Sequence, residues 1–438
     1  MAVFLNTRDK DFEARFTTFL GAKREADSDV DDVVKAIIDD IRARGDQAVI
    51  DLTRKFDRLE LTPESFAFSR AEIDAQIAQV PTAERAALEL AASRIKAYHM
   101  RQLPENKMWH DDCGAMLGWR WSPVDAAGLY VPGGLASYPS SVLMNAIPAQ
   151  VAGVRNLVIA APTPGGQVNP LVLLAARLSG VETVYRIGGA QAIAALAYGT
   201  QTIARVDKIT GPGNAYVAAA KRRVFGHVGI DMIAGPSEIL VIADRNNNPD
   251  WIAIDLLSQA EHDESAQSIL ITDDAAFGQQ VAAAVEIRLK TLERRAIAAK
   301  SWQDFGAVIT VRSLPEAAEL SDRIAPEHLE LCVQDADALA DQVTHAGAIF
   351  IGAYTPEAIG DYVGGPNHVL PTARSARFSS GLSVLDFMKR TTMAKMSPAA
   401  LAAIGPPAEI LARSEGLEAH GLSVRARLDS LNIEGAGE

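Results

Sequence analysis

The segment VDAAGLYVPGGLASYPSSVLMNAIPAQVAGVRNLVIAA (124–161) reads as a strand, a glycine-containing turn, a helix and a second strand. Its apolar runs, AAGLYV (126–131) and NLVIAA (156–161), are separated by enough residues for a helix, which two parallel strands need as their connection. The same pattern continues through ETVYRI (182–187) and VDKIT (206–210). These runs therefore predict βαβ units and a parallel sheet.

A second series of short apolar runs follows, again with helical segments between them. Its members are EILVIAD (238–244), SILITD (268–273), AVITV (307–311), HLELCV (328–333) and GAIFIG (347–352). Nine or more strands are better divided between two sheets than placed in one. The sequence therefore predicts two α/β blocks in succession.

The segments outside these blocks have other patterns. Residues 29–103 read as helical, and residues 107–122 alternate around the turn DDCG, which predicts an antiparallel hairpin. From Pro398 onward the sequence predicts a helical tail. We find no internal repeat of fixed period.

Composition narrows the class of protein. The chain has 438 residues, 48% hydrophobic and 22% charged, which is typical of a soluble globular protein of roughly three domains. Its 42 basic and 55 acidic residues give a net charge of −13, which disfavours nucleic acid as a partner but not a small anionic cofactor.

Localisation can be predicted from the same chain. The amino end has no apolar core of a signal peptide, and no apolar stretch reaches the roughly 20 residues of a membrane span. The two cysteines, Cys113 and Cys332, form neither a disulfide framework nor a thiolate zinc motif. We therefore expect a cytoplasmic protein with no membrane partner.

Three glycine-containing turns follow predicted strands, at 131–141, 187–199 and 211–216. Such turns let backbone N–H groups approach phosphates at the start of a helix. The turn GPGNAY (211–216) has the context of a dinucleotide fingerprint, but Tyr216 stands where the third glycine is expected. Cofactor binding and a purely conformational role for the glycines both remain open here.

Two further motifs carry candidate chemistry. In LLSQAEHDESAQ (256–267), Gln259 and His262 are three residues apart on a predicted helix, so they could share one metal ion or form a solvated helix end. In RIAPEHLEL (323–331), Glu327 and His328 suit acid/base catalysis, although a charged turn before a strand would look the same.

The last two motifs lie in the C-terminal part. Asp361 and His368 occupy a stiff glycine-rich loop, which is typical of a site held by a scaffold. Glu415 and His420 lie in the tail, which either reaches the core, within one subunit or across a dimer, or is a solvated helix. Four of the eight histidines lie in these acid-bearing motifs, which favours one metal and acid/base centre.

Taken in order, the motifs make the chain resemble the histidinol dehydrogenase family from the early helices to the tail. The most specific are GPGNAYVAAAK, GPSEILVIAD, LLSQAEHD, APEHLEL, GGPNHVLPT, ARFSSGLSVLDF and EGLEAHGLSV. The resemblance implies a zinc-dependent oxidation of L-histidinol to L-histidine through an enzyme-held aldehyde. NAD would be used twice, in the last step of histidine biosynthesis.

The resemblance also implies the roles of the candidate residues. One zinc ion per subunit would be held by Gln259, His262, Asp361 and His420, all four of which would also contact the substrate. The tail would come from the neighbouring subunit, which implies a homodimer with shared sites.

The remaining roles follow in the same way. His328 would remove the alcohol proton, and Glu327 would activate the water that adds to the aldehyde. Other implied substrate contacts are Ser237, His328, His368 and Glu415. The implied NAD contacts are Tyr130, Gln191 and Asn214.

The implied fold is α/β, with two Rossmann-like domains and a helical extension exchanged in the dimer. The predicted divisions are an N-terminal segment (1–25), a first α/β domain with the metal and acid/base residues (26–129 plus 237–384), an NAD domain (130–236) and the extension (385–438). Two rivals are a related dehydrogenase of another small polar alcohol, such as a sulfonated diol, and a non-catalytic binding protein. The imidazole-binding residues disfavour the first rival, and the adjacent Glu327 and His328 disfavour the second.

Overall fold

The computed structural model describes residues 2–22, 30–132, 138–233 and 235–434. The chain divides into two compact units. The first comprises Met1–Gln102 and Val124–Phe387, and the second comprises Leu103–Pro123 and Met388–Glu438. The two units are described in turn.

The strands belong to three sheets. In chain order they are β1 (Val3–Asn6), β2 (Lys107–His110), β3 (Met116–Pro123), β4 (Ala126–Tyr130), β5 (Asn156–Ala160), β6 (Thr183–Tyr185), β7 (Lys208–Thr210), β8 (Gly229–Ile230), β9 (Glu238–Ala243), β10 (Gln267–Thr272), β11 (Ala307–Thr310), β12 (His328–Cys332), β13 (Ala348–Ile351) and β14 (Met388–Lys395).

The α-helices mostly alternate with these strands. They are α1 (Phe12–Gly21), α2 (Asp31–Arg44), α3 (Asp46–Asp57), α4 (Arg70–Ile77), α5 (Thr82–Met100), α6 (Pro139–Ala152), α7 (Pro170–Leu178), α8 (Gly189–Tyr198), α9 (Ala215–Val224), α10 (Pro249–Ala260), α11 (Ala275–Arg288), α12 (Arg295–Phe305), α13 (Leu314–Ile324), α14 (Ala336–Ala340), α15 (Glu357–Tyr362), α16 (Pro398–Ser414) and α17 (Glu418–Glu434). Short 3₁₀ turns occupy Pro63–Ser65, Pro164–Gly166, Ser375–Arg377 and Val384–Phe387.

The first unit contains a five-stranded parallel sheet in the order β6-β5-β4-β7-β8. Helix α6 begins at Pro139, is followed by Gly153 in the left-handed region, and joins β4 to β5 as the βαβ pattern predicts. The strand order reverses between β4 and β7, because the chain proceeds outward from β4 to β6 and then returns to β7. Crevices at such reversal points are the usual ligand sites of parallel sheets.

A six-stranded parallel sheet lies in the same unit, in the order β1-β11-β10-β9-β12-β13. Every residue of β9, β10 and β12 is buried, as expected of strands covered on both faces. The fold is therefore mixed α/β with parallel sheets, as predicted. The strand order again reverses, here between β9 and β12.

The sheets do not follow the predicted domain divisions. Strand β1 pairs with β11, so residues 3–6 of the predicted N-terminal segment form the edge strand of the six-stranded sheet. Apolar side chains of α2 and α3 share one core with α8 and α9, which places these helices with the five-stranded sheet. The predicted border at 129/130 falls inside β4, the strand at the centre of that sheet.

The second unit contains the predicted hairpin of β2 and β3, which pair antiparallel. Strand β14 adds to β3 along its whole length, so the predicted helical extension begins with a strand. Its residues MKRTTMAK carry two adjacent β-branched threonines, which favour this extended pairing.

The tail then forms α16 and α17, which pack against each other. Gly405 of α16 lies so close to Val424 and Leu428 that a Cβ there would be in tight contact with both, at 3.2 Å. Glu409 of α16 forms an ion pair with Arg425 of α17. Within the described ranges, no helix is long and apolar enough to cross a membrane.

Candidate active site

The first unit has a cavity of about 450 Å³, within the usual size range of small-molecule sites. It lies between the carboxyl edge of the five-stranded sheet, where the turn after β7 lines it, and the amino edge of the six-stranded sheet, where β9 and β12 begin. The ends of α10 and α15 complete its wall.

Most of the residues predicted for the site line this one cavity. They are Asn214, Ser237, Gln259, His262, Glu327, His328, Asp361 and His368. Tyr130 and Gln191 are buried at the end of β4 and in the first turn of α8. Glu415 and His420 lie in the second unit, exposed around the junction of α16 and α17, so their part in the site stays a prediction.

His328 is the first residue of β12 and is buried. Its Nδ1 lies 3.0 Å from the backbone oxygen of Glu238. A carbonyl oxygen can only accept a hydrogen bond, so this contact assigns the proton to Nδ1 and the lone pair to Nε2. The amide nitrogen of Gln259 lies 3.3 Å from the same Nδ1, a longer contact than the one to the carbonyl. Nε2 is buried without a hydrogen-bond partner in the described chain, and burial lowers the pKa of His328 to about 4. The imidazole is therefore neutral near pH 7, with Nε2 available as a base.

Glu327 is held by the neighbouring strand. Its Oε2 accepts a hydrogen bond of 2.9 Å from the backbone N–H of Glu238 and lies 3.7 Å from Nδ1 of His328. The side chain is buried and lines the cavity. The carboxylate is thus fixed beside the imidazole.

The predicted metal ligands include an oxygen that lacks a protein partner. Gln259, in the last turn of α10, is fully buried, and its Oε1 has no hydrogen bond among the residues that the structure describes. Such an atom is costly to bury unless a ligand satisfies it. Asp361 and the exposed His262 line the same cavity. An oxygen, an imidazole nitrogen and a carboxylate fit zinc, so the donor set is chemically suitable.

A second group with metal-binding potential overlaps the predicted set. His328, Glu357 and Asp361 each offer a ligand atom, and these atoms lie within 4.8 Å of one another. Glu357, however, lies 3.3 Å from Nδ1 of His328, the nitrogen that carries the proton, whereas Asp361 lies 3.8 Å from Nε2. This geometry disfavours one ion bound to all three residues.

His368 is oriented in the same way as His328. Its Nδ1 lies 3.1 Å from the backbone oxygen of Asp361, so Nε2 holds the lone pair, and burial lowers its pKa. The preceding residue, Asn367, donates to the backbone oxygen of Met144 and contacts Nε2 of His99 at 3.3 Å. The loop that presents His368 is therefore fixed to α5 and α6.

The turn after β7 is held by a buried ion pair. Lys221 and Asp231 form an ion pair. Lys221 donates a hydrogen bond of 2.9 Å to the backbone oxygen of Gly211, and Asp231 accepts one of 2.8 Å from the backbone N–H of Gly211. Gly211 has φ +113°, and a Cβ there would collide with the backbone of Tyr130. Asn214 caps α9 by accepting from the N–H groups of Tyr216 and Val217. The turn is thus preformed.

On the neighbouring strand, the Tyr130 hydroxyl accepts a hydrogen bond of 3.1 Å from the N–H of Gly189. This contact ties the end of β4 to the start of α8, the helix that carries Gln191. The glycine turn at 131–141 includes residues 133–137, which lie outside the described ranges.

Sequence reasoning missed three acidic residues behind the cavity: Asp255, Glu330 and Glu357. Burial raises the pKa values of Glu357 and Glu330 well above the usual value of a glutamate. Burial also raises the pKa of Asp255, to about 6. Their spacing was a usable signal, because each lies two or four residues from a predicted site residue on the same element.

Comparisons with known proteins agree along the chain. A family model described as histidinol dehydrogenase matches residues 21–428. The chain is 76% identical over 432 residues to a histidinol dehydrogenase of Ruegeria pomeroyi. It is 75% identical over 432 residues to a histidinol dehydrogenase of Cereibacter sphaeroides. Each alignment covers 99% of this chain and 100% of the relative. A crystal structure of histidinol dehydrogenase from Elizabethkingia anophelis is similar with a TM-score of 0.94 at 38% identity, covering 98% of this chain and 99% of that one.

Proposed function

The chain belongs to the histidinol dehydrogenase family, and on this basis we propose that its cavity oxidises L-histidinol to L-histidine in two NAD-dependent steps, with a zinc ion in the site. The enzyme is an oxidoreductase of histidine biosynthesis. The observation that carries the site assignment is the unpartnered Nε2 of His328, which lies in the same cavity as the unpartnered Oε1 of Gln259.

In the first oxidation, His328 acts as the base. Its neutral Nε2 accepts the proton of the substrate hydroxyl as hydride leaves the carbinol carbon. Because the backbone oxygen of Glu238 fixes Nδ1 as the donor, no tautomer change is needed before proton transfer. Asp361, 3.8 Å from Nε2, favours the imidazolium that forms.

In the second oxidation, Glu327 acts on water. The aldehyde must add water before a second hydride can leave, and a carboxylate beside the substrate can remove the water proton. The hydrogen bond from the Glu238 N–H holds the Glu327 carboxylate in place for this step. The two oxidations are thus assigned to adjacent residues with different chemistry.

Gln259, His262 and Asp361 would hold the zinc, together with His420 of the partner subunit. When bound, zinc would supply a template that ligates the imidazole and amine of the substrate. Ser237 and His368 line the same cavity and would contact the substrate, as would Glu415 of the partner subunit.

NAD would bind where the five-stranded sheet reverses its strand order. Tyr130 ends β4 and the turn that carries Asn214 follows β7, so both lie at the crevice that dinucleotides favour in parallel sheets. Gln191 lies in the first turn of α8, the helix that follows β6 of the same sheet. The buried Lys221–Asp231 pair supports this assignment, because a preformed turn binds phosphate at a lower entropic cost.

The test is to count NADH formed from purified enzyme with limiting L-histidinol. We expect two NADH per histidinol, loss of turnover after chelation, and recovery when zinc is added. Magnesium, which prefers an all-oxygen octahedral shell, serves as the matched control and should not restore activity. One NADH per histidinol, or full activity without metal, would contradict the proposal.

A homodimer is supported by the apolar surface of the second unit. Ile410 and Leu411 of α16 are 68% and 61% exposed, and Leu422 of α17 is 58% exposed. Exposed large apolar side chains of this kind, when they form one patch, commonly mark an interface between subunits. We infer that this surface is covered by the partner subunit, whose tail would complete the site. The expected cytoplasmic location stays a prediction.

A shared site predicts complementation between inactive variants. His328→Asn inactivates the cavity of its own subunit, and His420→Ala inactivates the tail that its subunit would supply to the partner. A mixed dimer therefore has one intact site, made from the unaltered cavity of one subunit and the unaltered tail of the other. After equal amounts are unfolded and refolded together, we expect about a quarter of wild-type activity, because about half of the dimers are mixed and each keeps one of two sites. Activity that stays at the level of the separate variants would show that each site is built within one chain.

A further inference from the structure

Three acidic side chains behind the cavity have no role in the mechanism above. Glu330 is fully buried, Glu357 is 2% exposed and Asp255 is half-buried. Burying a carboxyl group costs free energy unless it is compensated by hydrogen bonds or charges. We call Asp255, Glu330 and Glu357 the rear layer.

Each residue of the rear layer shares an element with a residue that lines the cavity. Asp255 and Gln259 are four apart on α10, and Glu357 and Asp361 are four apart on α15. Glu330 follows His328 by two residues on β12. Residues four apart on a helix, or two apart on a strand, lie on the same face. Two layers of three residues therefore come from the same three elements.

We call Gln259, His328 and Asp361 the cavity layer. The rear layer contacts it through Glu357. Its Oε1 lies 3.3 Å from Nδ1 of His328, and neither carboxyl oxygen has a conventional hydrogen bond within the described chain. Behind it, Oε1 of Glu330 accepts a hydrogen bond of 2.5 Å from the Glu357 backbone N–H, which fixes the start of α15. The negative charge of Asp255 on α10 acts on Glu330 and helps to raise its pKa. The contacts thus run from β12 through α15 to the imidazole, with Asp255 beside them.

We propose that Glu357 is a positioning residue that acts through His328. Its Oε1 lies 3.3 Å from Nδ1, beside the Glu238 carbonyl that accepts the Nδ1–H, and this polar contact holds the ring so that Nε2 points into the cavity. Glu330 holds Glu357 and α15 in register with β12 through its hydrogen bond from the Glu357 N–H. The inference rests on the proposed function, because it assigns Glu357 to the reaction in which His328 is the base.

The experiment compares two variants of the full-length holoenzyme. Glu357→Leu removes the polar contact to Nδ1, and we expect kcat for histidinol oxidation to fall by about 10- to 100-fold with KM little changed, since a displaced base loses rate rather than affinity. Glu357→Gln keeps an acceptor oxygen and should restore kcat to within about threefold of wild type. Glu286→Leu, at an exposed position on α11, is the matched control and should leave both constants unchanged. A glutamine variant as slow as the leucine variant would overturn the proposal.

Two readouts separate positioning from a general loss of structure. Combined with His328→Asn, Glu357→Leu should cause no further loss of kcat, because the residue through which it acts is already absent. Nitrogen chemical shifts of the His328 imidazole should show the Nδ1–H tautomer in wild type and a mixture in Glu357→Leu. Additive losses, or an unchanged tautomer, would overturn the role.

The metal content of the same variants excludes the competing role. If Glu357→Leu loses zinc in proportion to its activity, Glu357 is a ligand and the positioning role is wrong. Failure of this inference is distinguishable from failure of the proposed function. Wild-type enzyme that produces two NADH per histidinol, together with a fully active Glu357→Leu variant, would refute only the inference.

Discussion

Replacing His328 with asparagine is expected to lower kcat for the oxidation of histidinol by about 10²- to 10⁴-fold, the usual contribution of a general base. Asparagine can still donate to the Glu238 carbonyl from its amide, but it offers no basic nitrogen to the cavity. The loss should therefore appear in kcat rather than in KM. Steady-state kinetics with histidinol as the substrate measure both.

The same variant needs a control for folding and for metal binding. His345→Asn alters a partly buried histidine in the loop before β13 that contributes no lining to the cavity, and it should leave kcat unchanged. Zinc content should be equal in both variants, because His328 is not a proposed ligand. A His328→Asn enzyme that retains more than a tenth of wild-type kcat would contradict the assignment of the base.

Glu327→Gln is expected to affect the two oxidations differently. Oxidation of histidinaldehyde should slow by about 10²-fold or more, since glutamine cannot remove a proton from water. Oxidation of histidinol should change much less, because the amide oxygen can still accept from the Glu238 N–H and keep the local structure. The measurement is single-turnover kinetics with each substrate supplied separately.

Accumulated aldehyde gives a second readout for this variant. If the aldehyde step becomes rate-limiting, NADH formation should show a burst of one equivalent followed by a slow phase. Equal losses in the two half-reactions would contradict the division of labour between Glu327 and His328. Loss confined to alcohol oxidation would reverse the two assignments.

Local sequence patterns predicted the architecture well wherever a strand was apolar and buried. The runs at 126–131, 156–161 and 238–244 became β4, β5 and β9, because strands covered on both faces leave a continuous apolar signature. Strands at an edge leave a weaker one. Both β1, in VFLN (3–6), and β14, in MKRTTMAK (388–395), are short or polar and acquire their structure from pairing with a neighbour.

The candidate site was only partly predictable. Pairs such as Glu327 and His328 are adjacent in sequence, so their proximity needs no tertiary structure. Glu357 meets His328 only because α15 packs on the amino end of β12, and no local pattern encodes that contact. The grouping of helices is equally non-local, since α2 shares a core with α8, more than a hundred residues away.

The cavity lies between opposite edges of two parallel sheets, and this arrangement brings opposite helix ends to one space. Helix α9 starts at the turn after β7, whereas α10 ends at Gln259 and Ala260. Aligned peptide dipoles give a helix about half a positive charge at its start and half a negative charge at its end. The field would therefore favour an anion beside the proposed NAD turn and a cation beside the proposed zinc ligands. In the proposed function, a net-acidic chain would thus receive a pyrophosphate and a zinc ion at opposite helix ends of one cavity, while the charge of Lys221 at the turn is neutralised by Asp231.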